Sequence, residues 1–234
     1  MEVFHTVSVG CGKFGGNVKK FELILPESLE KVEDFADQAA RAAEEERGLE
    51  GILVEHVTIT GREFQGLEIR NSRFRSCRIQ ACDFSWASFS DVILEDCDWS
   101  GSGLTGSFWS RCCWTDCKGV GADLHGSFFQ HAQFNGCGLS YANFSGSTLK
   151  QVYLEKTDLT SAFFSQCRWK ELEFSECRLS GTSFFQTSMG GLDLTSCHLE
   201  ELVLSDEGKE LKGVIVDFMQ AAELARRLGV VIRM

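Results

Sequence analysis

The stretch Ala122-Asp123-Leu124-His125-Gly126-Ser127-Phe128-Phe129-Gln130-His131-Ala132-Gln133-Phe134-Asn135-Gly136-Cys137-Gly138-Leu139-Ser140-Tyr141-Ala142-Asn143-Phe144-Ser145-Gly146 divides into blocks of five residues. Each block opens on a small residue and carries a large apolar one two places on. Stepping outward by five from Leu124 keeps the rule back to Val54 and on to Leu204, and Gly119 is the one failure among 31 positions. Two places earlier, small residues predominate, among them Cys77, Cys82, Ala87, Cys97, Ser102, Ser107, Cys112, Cys117, Ser127, Ser147, Thr157 and Cys177. Val92, Val152, Leu172, Leu192 and Leu202 are larger exceptions. A helix would repeat at about 3.6 residues and a strand at about 2. Two inward residues flanking one outward residue make a minimal strand, and the two outward residues that follow make a corner. Four corners close a square, so one coil takes 20 residues. Coils stack at the strand spacing of about 4.8 Å, and only stacking buries the large side chains.

In this pattern the chain resembles the pentapeptide-repeat family, whose motif is a small residue, a polar residue, Leu or Phe, and two more polar residues. Ala122-Asp123-Leu124-His125-Gly126 and Ala142-Asn143-Phe144-Ser145-Gly146 match it closely, and the resemblance covers about Ile52 to Leu204. It implies an all-β solenoid, a right-handed quadrilateral β-helix of nearly eight coils. A small α+β N-terminal cap and a C-terminal helix complete the expected fold.

The expected organisation is a cap over 1–51, a β-helix over 52–206 and a capping or dimerisation segment over 207–234. In the first segment, Val3 to Val9 and Val18 to Leu25 read as strands around a Gly-rich loop. Leu29, Val32, Phe35, Ala36, Ala39, Ala40 and Ala43 lie at helical spacing between Glu27 and Arg47. In the last, Phe218, Ala221, Ala222, Ala225 and Leu228 form a second stripe, and Val230-Val231-Ile232 looks like a short strand. This tail is similar to tails of bacterial pentapeptide-repeat proteins, including the quinolone-resistance, topoisomerase-protecting group, where the C-terminal helix joins two rods. The resemblance makes Phe218, Ala222, Ala225 and Leu228 a candidate homodimer seam, a cap for a single chain being the other reading.

Length, charge and cysteine content bound the function. The chain has 234 residues, 24% charged and 43% hydrophobic, with no apolar run approaching the roughly 18 residues that span a bilayer. The first residues lack a secretory pattern, so the 11 cysteines are read as reduced thiols in a cytoplasm. A net charge of −11 argues against direct nucleic-acid binding.

Signals for chemistry dissolve once placed in register. Gly10-Cys11-Gly12-Lys13-Phe14-Gly15 fits a dinucleotide fingerprint, but strand-like alternation follows where a helix is needed. No cofactor is expected. Nine cysteines fall at the small inward position, where Cys77, Cys97, Cys117 and Cys137 stack one per coil on one face, and such a ladder cannot converge on zinc as a tetrahedron; only Cys11 and Cys113 lie elsewhere, and Cys113 is expected to point outward and react. No metal site and no catalytic residue is expected.

Function therefore falls to the surface. Glu95, Asp96, Asp116, Glu155, Glu173, Glu176 and Asp193 lie along one side and its following corner, interrupted by Arg73, Arg75 and Lys156. The repeats from Gly51 to Asp206 hold 19 acids and 12 bases. Phe108 and Phe128 point outward one coil apart, with Trp86 at the nearby corner; the pair is either an interface or a ladder that stiffens neighbouring coils. The reading is a non-enzymatic protein-interaction scaffold of unknown partner. The resemblance implies the alternative, an acidic DNA mimic that binds a type II topoisomerase (gyrase) and protects it from inhibitors. At Gly119, either Trp99 leans across the gap or Val120 slips inward through a bulge.

Overall fold

The computed structural model describes residues 21–45 and 47–233, together with the backbone of residues 4–7. The strands are β1 (Phe4–Val7), β2 (Leu23–Pro26), β3 (Glu30–Val32), β4 (Leu49–Glu50), β5 (Ile52–Glu55), β6 (Thr58–Thr60), β7 (Glu68–Arg75), β8 (Arg78–Gln80), β9 (Ser88–Glu95), β10 (Phe108–Thr115), β11 (Phe128–Asn135), β12 (Thr148–Glu155) and β13 (Arg168–Ser175). The helices are α1 (Phe35–Glu44) and α2 (Phe218–Arg227).

Four blocks make one coil. The blocks centred on Phe84, Phe89, Leu94 and Trp99 form a first, second, third and fourth side, and the chain then returns one level up: Phe89 pairs with Trp109, and Trp109 with Phe129. The product is a parallel β-solenoid of about seven turns with two short helices, the remaining units of the expected coils forming an incomplete last one. The eight-residue strands span the second and third sides and bend at Asn71, Asp91, Arg111, His131, Gln151 and Glu171, where φ is 51–57°. That left-handed region is unfavourable for residues with a side chain, so the stack of hydrogen-bonded neighbours holds each corner in place. After the first side the corner is a four-residue turn instead, closed by Ala87 N–H on the Phe84 carbonyl (3.0 Å) and Ser107 N–H on the Leu104 carbonyl (3.1 Å).

The register read from the sequence holds throughout. Every repeat centre from Val54 to Leu204 is buried except Trp169, which is half-buried, and Gly119 has no side chain to bury. Aromatic centres stack coil on coil, as in Phe89–Trp109 (3.9 Å between centroids, 6° between planes) and Phe144–Phe164 (4.8 Å, 6°). The small inward position does more than save space. Ser102, Ser127, Ser147 and Thr182 hydroxyls donate to the carbonyls of Ile79, Leu104, Leu124 and Leu159 at 2.8–2.9 Å. The Cys112 and Cys177 thiols do the same to Phe89 (3.4 Å) and Leu154 (3.3 Å). Each donor thus satisfies a carbonyl of the coil beneath, which an Ala would leave to chance. Burial pushes the Cys112 and Cys167 thiols up to about 12, so they stay protonated and unreactive at neutral pH.

Both ends differ from the expected caps in detail. The N-terminal helix is shorter than the stretch from Glu27 to Arg47, because Val32 is drawn into the sheet opposite Val54 and Asp34 then starts α1 by accepting the Asp37 N–H (3.1 Å). Phe35, Ala39 and Ala42 of α1 are buried over the open coil, Phe35 lying 5.6 Å from Phe64 and 5.3 Å from Phe74. At the other end Asp217 and Gln220 form a reciprocal capping box for α2. Leu224 enters the core, and the Gln220 amide donates to the carbonyls of Leu194 (2.8 Å) and Cys197 (2.7 Å). Val230-Val231-Ile232 is not a strand: the Val230 N–H closes the helix end on the Ala225 carbonyl (3.0 Å), and the three residues are exposed.

The hairpin of β1 and β2 corrects the expectation for Cys113. Its antiparallel strands lie outside the coil at the corner between the second and third sides. Ile24 N–H donates to Asp91 Oδ1 (3.0 Å), the Asn71 amide donates to the Ile24 carbonyl (2.6 Å), and the Phe21 ring lies 5.8 Å from His131. Asp91 is held in turn by the Arg111 guanidinium, at 2.7 and 2.5 Å. Phe21, Leu23 and Leu25 form a second small core with Ile93 and Cys113, so Cys113 points away from the coil yet is fully buried. The motif from Gly10 to Gly15, the cysteine at position 11 and most of the expected loop lie outside the described residues. Native chain should therefore protect Cys113 from a polar thiol reagent. Deleting residues 1–26 should open it while leaving the nine inward cysteines protected; continued protection of Cys113 in the truncated chain would refute this packing.

Glu210 closes the last coil. Its buried carboxylate accepts from Gln186 N–H (2.9 Å), Ser205 N–H (3.3 Å) and the Ser205 hydroxyl (2.8 Å). Burial pushes this carboxyl up, but the hydrogen bonds outweigh it and hold the group below its ordinary value. A depressed folded pKa stabilises the fold above the ordinary carboxylate range of about 4.3 and loses that contribution as pH falls through the folded value. Melting temperature should therefore fall more steeply in acid for the native chain than for Glu210→Gln, and parallel curves would contradict it.

Candidate functional site

The acidic residues singled out in the sequence do not form one continuous exposed face. Glu95 is half-buried and held by Arg75 Nε (3.1 Å) and Arg73 Nε (3.8 Å). Glu155 is buried, with Lys156 Nζ at 3.4 Å. Asp96 and Asp116 are exposed on the corner between third and fourth sides, Asp96 accepting the Ser76 hydroxyl (3.0 Å) and Asp116 lying over Gly136. Lys156 follows on that corner before Glu176, which is exposed. Glu173 and Asp193 are exposed on the third side; Asp193 accepts the Thr195 hydroxyl (2.7 Å) and N–H (3.0 Å), which hold its carboxyl below the ordinary range. The structure thus leaves Asp96, Asp116, Glu173, Glu176 and Asp193 accessible and withdraws Glu155.

Of the aromatic side chains singled out, Trp86 and Phe108 are exposed and Phe128 is half-buried. Trp86 is 71% exposed and left-handed at its corner (φ 63°), and its indole lies over Gly106 one coil up, where any side chain would collide with the ring. Phe108 and Phe128 stand on the second side with rings 5.3 Å apart and 4° from parallel. Lys150 places its Nζ 4.9 Å from the Phe128 centroid, within range of a cation–π contact. A second set of exposed apolar side chains, Tyr141, Phe163 and Phe185, climbs the first side in steps of one coil and two residues, a diagonal that five-residue bookkeeping hides.

The proposed seam residues of α2 divide between two environments. Phe218 is 85% exposed and Leu228 half-exposed against Gly208, whereas Ala222 and Ala225 are partly buried beside Leu224. Grooves on the rod are shallow and open. One of about 540 Å³ is lined by Phe185, Gln186, Ser188, Asp206, Lys209 and Glu210. Among the described residues no group of three His, Cys, Asp or Glu side chains is placed to hold a metal ion, and no described helix is long and apolar enough to cross a membrane.

A search of curated proteins finds no match. Among solved structures, the chain is similar to a trypsin-treated variant of QnrB1, a plasmid-mediated fluoroquinolone resistance protein, at 23% identity over 76% of this chain and 99% of that one (TM-score 0.42). It is also similar to HetL, a pentapeptide repeat protein involved in heterocyst differentiation regulation in the cyanobacterium Nostoc sp., at 16% identity over 77% and 96% of the two chains (TM-score 0.35). A third is the pentapeptide repeat protein Rfr23 of the cyanobacterium Cyanothece, at 13% identity over 77% and 99% (TM-score 0.25). The family model described as Pentapeptide repeats (8 copies) matches residues 137–168. That segment lies within the unbroken five-residue register and shares its coil geometry with the turns on either side, so the chain is built of pentapeptide repeats.

Proposed function

We propose that the chain is a non-enzymatic cytoplasmic scaffold that recruits a protein partner to the edge of the rod carrying Trp86, Phe108 and Phe128. The observation behind this reading is a group of large aromatic side chains at the surface, Trp86 and Phe108 exposed and Phe128 half-buried, on a rod whose interior is already filled by its own repeat centres. Aromatic side chains at a surface carry much of the energy of protein interfaces. The test is affinity capture from the source cells by the native chain and by a Trp86→Ser, Phe108→Ser variant of unchanged melting temperature. A protein held by the first and lost by the second supports the reading; identical captured sets refute it.

A second reading, the acidic DNA mimic acting on a type II topoisomerase such as gyrase, draws on the exposed pair Asp96 and Asp116, one coil apart on the same corner. It expects the chain to alter gyrase supercoiling in a manner that weakens steeply with salt. Replacing Asp96, Asp116 and Glu176 with Lys should abolish that effect without a large fall in melting temperature, since surface charges contribute about 1 kcal/mol or less to folding. The scaffold reading expects no effect on supercoiling.

The same proposal extends to a homodimer through α2. Exposed Phe218, Met219 and Leu228 provide apolar surface beyond what Leu224 needs to cap the rod. Light scattering should then give twice the chain mass for the native protein and a monomer for Phe218→Glu, whose side chain touches little of its own rod.

A further inference from the structure

Two columns of outward side chains run up the second side. One is Ser88, Phe108, Phe128, Thr148 and Arg168; the other is Ser90, Ser110, Gln130, Lys150 and Lys170. From Ser88 to Lys170 neither column holds an acid, in a chain with 34 acidic and 23 basic residues. Both columns change in the same direction, from hydroxyl and aromatic groups to cations. Lys150, Arg168 and Lys170 are exposed, lie on neighbouring strands, and form no salt bridge among the described residues. Lower on the rod, Arg75 is matched by Glu55 and Glu95, and Arg70 by Glu50 and Glu68. The hairpin of β1 and β2 docks at the next corner through Asn71 and Asp91, leaving Phe108, Lys150 and Lys170 open.

We propose that this strip binds an extended acidic segment of a protein partner, its carboxylates on Lys150, Arg168 and Lys170 and an apolar side chain against Trp86 and Phe108. The inference rests on the scaffold reading and adds the chemistry of the partner. Strand hydrogen bonds here run along the rod axis between coils, so a ligand on this side meets side chains and cannot add as a further strand. Four coils separate Trp86 from the level of Lys170, about 19 Å at the strand spacing, and an extended peptide covers that in about six residues. Three cations with no carboxylate beside them among the described residues select carboxylates, and the aromatic end fixes the direction in which the peptide lies. The alternative ligand for cations beside aromatics is single-stranded nucleic acid. It is disfavoured because the parallel Phe108 and Phe128 rings cover one another's faces, and because three cations on a chain of net charge −11 neutralise few phosphates.

The probe is a fluorescein-labelled hexapeptide of three glutamates, a glycine and two phenylalanines, titrated with the full chain and followed by anisotropy. Saturable binding is expected, weaker by about tenfold or more in the Lys150→Glu, Lys170→Glu variant, a change of about 1.4 kcal/mol per tenfold. Binding should also weaken when the glutamates are replaced by glutamines and when salt is raised. No saturation, equal binding of the glutamine peptide, or tighter binding of a labelled oligothymidine would each overturn the proposal. Partner capture separates this failure from that of the scaffold reading. A partner lost by Trp86→Ser, Phe108→Ser but retained by Lys150→Glu, Lys170→Glu leaves the scaffold standing and removes the acidic segment; retention by both removes both. The charge variant should keep its melting temperature, since both lysines are exposed.

Discussion

Phe144→Ala is expected to lower the free energy of unfolding by about 3–5 kcal/mol, the range for removing a fully buried aromatic side chain. Phe144 is 1% exposed and sits in the middle of the first side's column of centres. Its ring lies parallel to Phe164 at 4.8 Å, edge-on to Phe134 at 6.3 Å and tilted against Phe129 at 5.9 Å. Phe164 is fixed on its far side by Phe184 at 5.5 Å, so neither ring can drop into the vacated space without giving up another stack. The backbone also resists collapse, because the Phe144 carbonyl accepts the Cys167 thiol (3.0 Å) and its N–H donates to the Phe163 carbonyl (2.7 Å). Denaturant titration measures the loss. In a solenoid each coil touches only its neighbours, so hydrogen exchange should quicken around residues 124–164 before it quickens near α1. A loss below about 1 kcal/mol would mean that the coils close over the gap. Phe144→Leu, which keeps most of the volume, should lose less than about 1.5 kcal/mol.

That prediction could be framed from the sequence, because the feature that fixes the coil is local. Side chains at Val54, Ile59, Phe64 and onward repeat at one spacing, and each coil repeats the environment of the last. The column of Phe108 and Phe128, with Trp86 at the nearby corner, is legible by the same arithmetic. Features that depend on chain segments far apart did not follow. Cys113 is outward by register, and only the packing of Phe21, Leu23 and Leu25 across the coils buries it. A hint was present: its column reads Ile93, Cys113, Gln133 and Tyr153, less polar than an uncovered side should be. The cations Lys150, Arg168 and Lys170 were equally legible at 20-residue spacing, but a search for acidic faces passes over them. The hydroxyl and thiol bonds of the small position could have been sought too, since Ser, Thr and Cys there outnumber Ala. Helix α1 was drawn too long because an apolar stripe does not distinguish Val32 in a strand from Val32 in a helix; the Asp34 cap does.

Gly119→Leu is expected to destabilise the chain by about 1–3 kcal/mol, although it restores the residue type that the repeat calls for. Neither sequence-based account of this site survives. Val120 is 44% exposed, so it has not slipped inward, and Gly119 keeps the register by donating its N–H to the Gly138 carbonyl (2.9 Å) and accepting from Ala122 N–H (3.1 Å). Trp99 does not lean across either; its indole packs on Phe74, Phe84, Phe89 and Trp114. The space is taken from the coil above: a Cβ on Gly119 would meet Leu139 Cδ2 at 2.9 Å and Ala122 Cβ at 3.6 Å. The glycine φ is not left-handed, so the backbone accepts a side chain and the penalty is one of packing. Leu139→Ala alone should lose about 2–5 kcal/mol through the cavity it leaves. Combined with Gly119→Leu it should lose less than the sum of the two, because the new leucine enters the space that Leu139 vacates. A coupling of about 1 kcal/mol or more in that cycle is the expected signature of two residues contesting one site. Additive losses would mean that Leu139 does not fill the gap, and a stabilised Gly119→Leu would mean that the gap is empty.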